Sequence, residues 1–323
     1  MGNAPITFIY TNSYDTTTDL LVAKLGSERV FRFNFNLWRD YRIYVDGDRF
    51  EIASPAGRSV GDRDIAKVLW RKPMRRQHML PDESLPRLES YLDEELWYAM
   101  RELVGLLWYQ GKLVLVEPFA DLRAGKLIQA RVARRYFNVP RWKFACGMPA
   151  ALRQPGPSVA KSLTSERVGT GAVLYTTPVV ESDLDPSTPW MLQDLVAAEK
   201  DVTIAFVRDR LFAFELPREG FLERTVDWRR AALETITNDW PVHELPGEMT
   251  AKLFAFMQDM GLHYGRIDML YGRGSYHFLE VNSGGEWGWL DAEGKHGLLD
   301  KMLEEISPDT PVHSLPFARS LRL

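Results

Sequence analysis

The stretch from Arg266 to Asp291, RIDMLYGRGSYHFLEVNSGGEWGWLD, limits most sharply what this chain can become. Ile267 and Met269 alternate with Asp268 and Leu270, and Leu279 and Val281 alternate with Phe278, Glu280 and Asn282. A period of two is that of a half-buried strand, so two strands are predicted, apolar on one face and carrying oxygen ligands on the other. Gly272, Arg273, Gly274 and Ser275 supply the turn, with Gly274 suited to a left-handed position. Asp268 shares a face with Glu280 and Asn282 only if paired positions sum to an even number. That predicts an odd loop, such as a three-residue turn with a bulge, because a two-residue turn puts Asp268 on the wrong side. Oxygen side chains on a rigid pleat, without histidine or thiolate, suit a hard cation such as Mg²⁺ that keeps positions open for water and phosphate oxygens. The bland alternative is a solvated strand face with ordinary charges.

A chain of 323 residues can bury a large core and is expected to form two or three domains in one body. Its net charge of −4 gives no bulk electrostatic case for nucleic acid or an anionic membrane. Cys146 is the only cysteine, so no internal disulfide forms, and it reads as a structural thiol. The six histidines show no zinc spacing. The N-terminus lacks a targeting pattern and no run of about 20 apolar residues occurs, so a cytoplasmic protein without a membrane partner is expected.

Along the chain, PITFIY and Val30 to Phe35 read as strands around a helix from Thr16 to Leu25, and Tyr41 to Ile52 as a hairpin turning at Asp46-Gly47. Lys67 to Trp70 is another strand. From Ser84 to Gln110, Leu85, Leu88, Leu92, Leu96, Leu103 and Leu107 recur at helical spacing, and KLVLV (112–116) is the strand that closes this α/β part. Arg71, Arg75 and Arg76 are candidates for gripping an acidic ligand, although a solvated loop is the commoner case. A helix is predicted in DLRAGKLIQARVARRYFNVPRW (121–142), ended by Asn138 and Pro140, with Leu127, Val132 and Phe137 inward. A lysine in its first turn, Lys126, opposes the helix dipole and is therefore a candidate for meeting phosphate. Val159 to Thr177 reads as two strands, the first carrying Lys161, joined by a loop rich in serine, threonine and glycine whose amides suit phosphate. WMLQDLV, VTIAFV and LFAFEL form a predicted meander with Asp194 and Asp201 near strand ends. Helices over 246–260 and 295–306 complete the reading.

Taken in order, Lys126, Lys161, the QDLV segment, Asp201, Arg229 and the trio Asp268, Glu280 and Asn282 resemble the ATP-grasp ligases over nearly the whole chain. Within them, AKSL with a loop and LYTT, the tripeptide Asp227-Trp228-Arg229, and FLEVNSGGEWGWLD are similar to the microviridin-type graspetide synthetases, which close side-chain esters or amides in ribosomally made precursor peptides. The resemblance implies an α/β (α+β) ATP-grasp fold with three subdomains (1–118 before the grasp, 119–192 the central lid, 193–323 the C-terminal part) and the nucleotide between the latter two. It implies that Lys126 and Lys161 contact ATP phosphates, Asp194 and Leu195 face the adenine, Asp201 sits near the ribose, and Arg229 reaches the phosphoryl region. Asp268, Glu280 and Asn282 would hold Mg²⁺, with Lys161 and Arg229 as the catalytic pair. Two departures stand out: Thr203 where the family usually has arginine, and Gly285-Glu286-Trp287 where glycine-glutamine-tryptophan is common.

The expected chemistry is activation of an Asp or Glu side chain of a precursor peptide as an acyl phosphate, then attack by a Thr, Ser or Lys of the same peptide. His263 and His277 are the nearest titratable candidates for a general base, and core or surface roles suit them better. A leader segment would dock on the loop from Arg71 to Arg76 or on the central surface, and a homodimer is expected by resemblance. The rival readings are a ligase adding amino acids to a peptide or protein terminus, and a nucleotide-binding regulator without catalysis.

Overall fold

The computed structural model describes residues 4–47, 49–72, 87–148, 152–153, 155–163, 167–168, 172–173, 175–219, 226–228 and 240–315. Three sheets order the molecule. The first is parallel, β2-β1-β6, built from β1 (Ile6–Thr11), β2 (Val30–Asn34) and β6 (Ile65–Trp70). All six residues of β1, ITFIYT, are buried, as befits a central parallel strand covered on both faces. Helix α1 (Thr16–Leu25) follows β1, and the Asp15 carboxylate caps it by accepting from the Thr18 amide at 3.2 Å. A small antiparallel sheet, β3 (Arg42–Asp46), β4 (Arg49–Ala53) and β5 (Ser59–Gly61), lies between β2 and β6 in sequence. Asp46 faces Arg49, so the hairpin turns one residue later than its Asp-Gly pair suggested.

Helix α2 (Arg87–Tyr109) buries Leu103 and Leu107 but leaves Leu92 exposed, against the predicted stripe. The KLVLV run is not a ladder strand: it touches β6 through one bridge, Val68 to Leu113, and Leu115 has φ of 65°. A left-handed leucine ends regular pairing there. The single helix predicted up to Asn138 is likewise two pieces, α3 (Ala120–Arg123) and α4 (Lys126–Ala133), parted at Gly125, which occupies the N-cap of the second.

The second sheet is antiparallel, β11-β8-β12-β7, from β7 (Trp142–Ala145), β8 (Ser158–Lys161), β11 (Thr177–Val179) and β12 (Trp190–Asp194). Beyond β8, the pair β9 (Arg167–Val168) and β10 (Ala172–Val173) divides the predicted loop. The third sheet, β14-β13-β15-β16, contains β13 (Lys200–Val207), β14 (Arg210–Pro217), β15 (Tyr264–Gly272) and β16 (Ser275–Asn282). Helix α5 (Gly247–Asp259) precedes β15. Helix α6 (Leu298–Ile306) begins three residues after the predicted start, where Asp291 accepts from the amides of Leu298 and Leu299.

The β15–β16 hairpin corrects the sequence in one detail. Gly272 faces Ser275, leaving a two-residue turn of Arg273 (φ 52°) and Gly274 (φ 73°), the left-handed pair of a type I′ turn. A regular ladder from that turn would set Asp268 against Leu279. The pairing shifts between Asp268 and Met269 instead: Met269 faces Phe278, Asp268 faces Glu280 and Arg266 faces Asn282, so Leu279 is the extra residue of a bulge. The three oxygen-bearing residues therefore lie on one face, by a bulge within the strand rather than a longer loop. Phe278, expected beside Glu280, turns into the core and stacks on Phe137 with centroids 5.7 Å apart. Gln129 of α4 satisfies the bulged backbone, accepting from the Val281 amide at 2.5 Å and donating to the Val281 carbonyl at 3.3 Å. No helix among the described residues is long and apolar enough to cross a membrane.

Candidate active site

A cleft opens between the second and third sheets. Lys126 from the first turn of α4, Lys161 from β8, Asp194 at the end of β12 and Leu195 just after it, Asp201 from β13, and Asp268 and Glu280 from the hairpin all line it. Asn282 joins them through its amide, which lies 3.2 Å from Asp268 Oδ2 and 3.3 Å from Glu280 Oε1. Arg229, Arg75 and Arg76 lie outside the described residues. The neighbours of Arg229, Asp227 and Trp228, line the cleft, and Asp227 accepts from the Thr176 amide at 3.0 Å.

Glu280 is the electrostatic centre. Lys126 Nζ approaches its Oε2 to 3.2 Å and donates to the Ser162 carbonyl at 2.7 Å, joining the C-terminal sheet to the strand above it. Burial alone would raise the Glu280 carboxyl, but the charges of Lys126 and Lys161 and the hydrogen bonds from Lys126 and Asn282 hold it at about 2. Desolvation draws Lys161 below the ordinary lysine value, against the pull of Glu280, and the like charge of Lys126 adds to the fall. Two cations thus crowd one carboxylate. Such an arrangement binds a polyanion well, because each lysine has a better partner available than its neighbour allows.

Asp268 accepts from Thr203 Oγ1 at 2.9 Å and pairs with Arg266 at 3.0 Å. Thr203, one of the two departures, therefore fills the position beside Asp268, while a guanidinium arrives from the neighbouring strand. Asp201 is buried against Arg218 in a forked pair at 2.6 and 3.2 Å, and Arg218 also donates to the Val226 carbonyl at 2.9 Å. Burial raises the Asp201 carboxyl, with Arg218 acting against it. The amides of Asp194 and Leu195 are both committed, to the carbonyls of Arg141 and Pro157 at 2.9 Å.

The donor set fits a hard divalent ion. Two carboxylates and one amide are on offer, and turning the Asn282 amide presents its oxygen in place of its nitrogen. Among the described residues no three His, Cys, Asp or Glu side chains cluster as a metal site, so any ion here takes the rest of its shell from a ligand or water.

Arg218 and Arg266 were missed in the sequence. Arg266 had a legible signal, since it stands two residues before Asp268 on the same strand face. Arg218 had none, because its contact depends on where β14 ends. Arg71 is neither a solvated loop residue nor free to grip a ligand: its side chain is 2% exposed and pairs with Asp15 at 2.8 Å and Glu286 at 2.7 Å. His263 and His277 do not line the cleft, and burial lowers both imidazoles.

The three sheets, with the cleft between the second and third, are the ATP-grasp fold. The chain is similar to a Chryseobacterium gregarium RiPP-associated ATP-grasp ligase in complex with ADP and a leader and core peptide: 21% identity over 96% of this chain and 98% of that one, with a TM-score of 0.79. It is similar to the macrocyclase MdnC of Microcystis aeruginosa bound with its precursor peptide, at 21% identity, 93% and 99% coverage and a TM-score of 0.77. A D-alanine–D-alanine ligase from Bacillus anthracis complexed with ATP shares the fold at 14% identity, 94% and 97% coverage and a TM-score of 0.54. No family model and no curated protein matches the chain.

Proposed function

We propose that the chain is an ATP-dependent carboxylate ligase that closes side-chain ester or amide rings in a ribosomally made precursor peptide. The observation that carries this reading is the convergence of Lys126 and Lys161 on Glu280, which Asn282 ties to Asp268, in a cleft between two sheets. In this reading residues 1–118 precede the grasp, 119–192 form the lid and 193–323 hold the metal half. Lys126 and Lys161 leave Glu280 for the phosphates of ATP, while Asp194 and Leu195 border the adenine, Asp201 lies toward the ribose and Arg229 toward the phosphoryl group. Asp268, Glu280 and Asn282 hold Mg²⁺, which when bound neutralises charge on the phosphoryl oxygens.

A carboxylate is a poor electrophile at neutral pH. Transfer of the γ-phosphoryl group from ATP to an Asp or Glu side chain yields ADP and an acyl phosphate. A Thr or Ser hydroxyl or a Lys amine then attacks the carbonyl carbon, the carbon–oxygen bond to phosphate breaks, and phosphate leaves. The lysines stabilise charge that spreads over the transferring oxygens. The peptides named with the two ligases above, a leader and core in one and a precursor in the other, support a peptide as the partner here, and a homodimer belongs to the same proposal.

The test is mass spectrometry of a precursor-like peptide, rich in Thr, Ser, Asp and Glu, after incubation with the protein, ATP and Mg²⁺. Loss of one water per ring with ADP release is expected. With free amino acids added, a gain of residue mass would support the amino-acid ligase instead, and intact ATP with unchanged peptide would support a regulator.

A further inference from the structure

Glu286 lies outside the cleft lining, yet its side chain gathers more partners from a distant part of the chain than any ligand candidate does. Oε2 accepts from Arg71 at 2.7 Å and from the Thr17 hydroxyl, and Oε1 accepts from Lys72 at 2.5 Å. Arg71 is in turn held by Asp15, both side chains being almost wholly buried, and the Asp15 carboxyl sits at about 2. Burial acts to raise it, and Arg71 with the hydroxyls of Thr18 and Thr11 outweighs burial. The base of this cluster is a built, rigid anchor on the first sheet.

The other end reaches the oxygen set. The Glu286 carbonyl accepts from Arg266 at 3.1 Å, and Arg266 pairs with Asp268 at 3.0 Å. The turn between β16 and Glu286 is closed by the Gly285 amide donating to the Asn282 carbonyl at 3.1 Å, and Tyr264 donates to the Gly285 carbonyl at 2.6 Å. The fit has no slack: a Cβ at Gly285 would lie 2.6 Å from Arg266 Cβ. Gly288 donates to Thr17 at 3.3 Å, completing the seam with α1.

We propose that Glu286 is a positioning residue: its carboxylate anchors the turn after β16 to Arg71, Lys72 and Thr17, so that Asn282 and the Arg266–Asp268 pair are presented to a divalent ion. This rests on the reading of Asp268, Glu280 and Asn282 as the ion's ligands. Arg266 is an outer partner of Asp268, and Glu286 holds Arg266 in place. The four charges, Asp15, Arg71, Lys72 and Glu286, sum to zero. Replacing Glu286 by an amide leaves Lys72 without its anion in a half-buried place, where burial already pulls that ammonium down and Glu286 supports it.

The experiment titrates Mg²⁺ into protein loaded with ADP and follows the heat, without turnover. Glu286→Gln is expected to bind Mg²⁺ about 10- to 100-fold more weakly than wild type, the range found when an outer-shell partner is lost. The double variant Glu286→Gln with Lys72→Met, in which charge balances again but the carboxylate anchor is still missing, is expected to bind Mg²⁺ as weakly as Glu286→Gln, and recovery to wild-type affinity would overturn the anchoring role. Gly285→Ala, which pushes the turn off Arg266 and leaves every charge in place, is expected to weaken Mg²⁺ binding too, and serves if Glu286→Gln does not fold. Unchanged Mg²⁺ affinity in a folded Glu286→Gln or Gly285→Ala variant, with normal uptake by wild type, overturns this inference alone. Absence of Mg²⁺ uptake by wild type overturns the ligand reading and this inference with it.

Discussion

Replacing Glu280 by glutamine tests the electrostatic centre of the cleft in two independent ways. The carboxyl moves from 4.5 to about 2 on folding, a differential interaction of roughly 3 kcal/mol. Because the folded value is the lower one, this stability is present above pH 4.5 and is lost as pH falls toward 2. Wild type should therefore lose stability more steeply than Glu280→Gln between pH 4.5 and 3, by up to roughly 1.4 kcal/mol per pH unit. At pH 7 the variant leaves two lysines facing each other without an anion, and a loss of about 3 kcal/mol is expected, at the low end for a broken buried pair because Lys126 is partly exposed. Urea unfolding across that pH range measures both. The same variant removes a proposed ion ligand and should reduce Mg²⁺-dependent ADP release about 10²- to 10³-fold, as loss of several kcal/mol of transition-state stabilisation requires. Parallel pH slopes for the two proteins, or turnover within tenfold of wild type, would refute the assignment of Glu280 as the shared anion of Lys126 and Lys161.

Three further outcomes follow from contacts elsewhere. Gln129→Met leaves the bulged Val281 amide without its acceptor and should lower stability by about 1–3 kcal/mol in chemical denaturation. Arg218→Met strands the buried Asp201 carboxylate and should lower stability by about 3–5 kcal/mol at pH 7. Since the folded Asp201 value then stands above the unfolded one, that loss should shrink as pH falls toward 4, read from denaturation at both pH values. Gly274→Ala puts a Cβ on a residue with φ of 73° and should cost about 1 kcal/mol of stability in the same assay, without changing Mg²⁺ affinity.

The hairpin and the shared face of its oxygen side chains were legible because both rest on local signals: alternation, a Gly-containing turn, and acids at matched spacing. The bulge at Leu279 was not, because what satisfies it comes from far earlier in the chain, from Gln129 and Asn138; Asn138 accepts from the Phe278 amide at 2.8 Å. Alternation alone put Phe278 beside Glu280, whereas the aromatic contacts with Phe137 and Phe256 pull it into the core. KLVLV reads as a strand by composition, yet a left-handed Leu115 permits only one bridge. Lys126 stood out as an anomaly of its own helix, and the structure places it where that anomaly finds a partner, 3.2 Å from Glu280.

The two positions where the chain departs from the common pattern have different consequences. At Thr203 the local charge is kept by another route: the hydroxyl meets one oxygen of Asp268, and Arg266 on the adjacent strand meets the other. A guanidinium delivered from β15 rather than β13 approaches Asp268 along the strand axis instead of from across it, and is held by the Glu286 carbonyl at its far side. At Glu286 the extra negative charge is matched by Arg71 and Lys72, residues whose neighbours in sequence looked like a solvated basic loop. Both departures therefore feed the same carboxylate, Asp268. The loss of a cation at the centre and the gain of an anion at the rim shift charge the same way, and both bear on Asp268 through Arg266, so neither can be judged from its own position in the sequence.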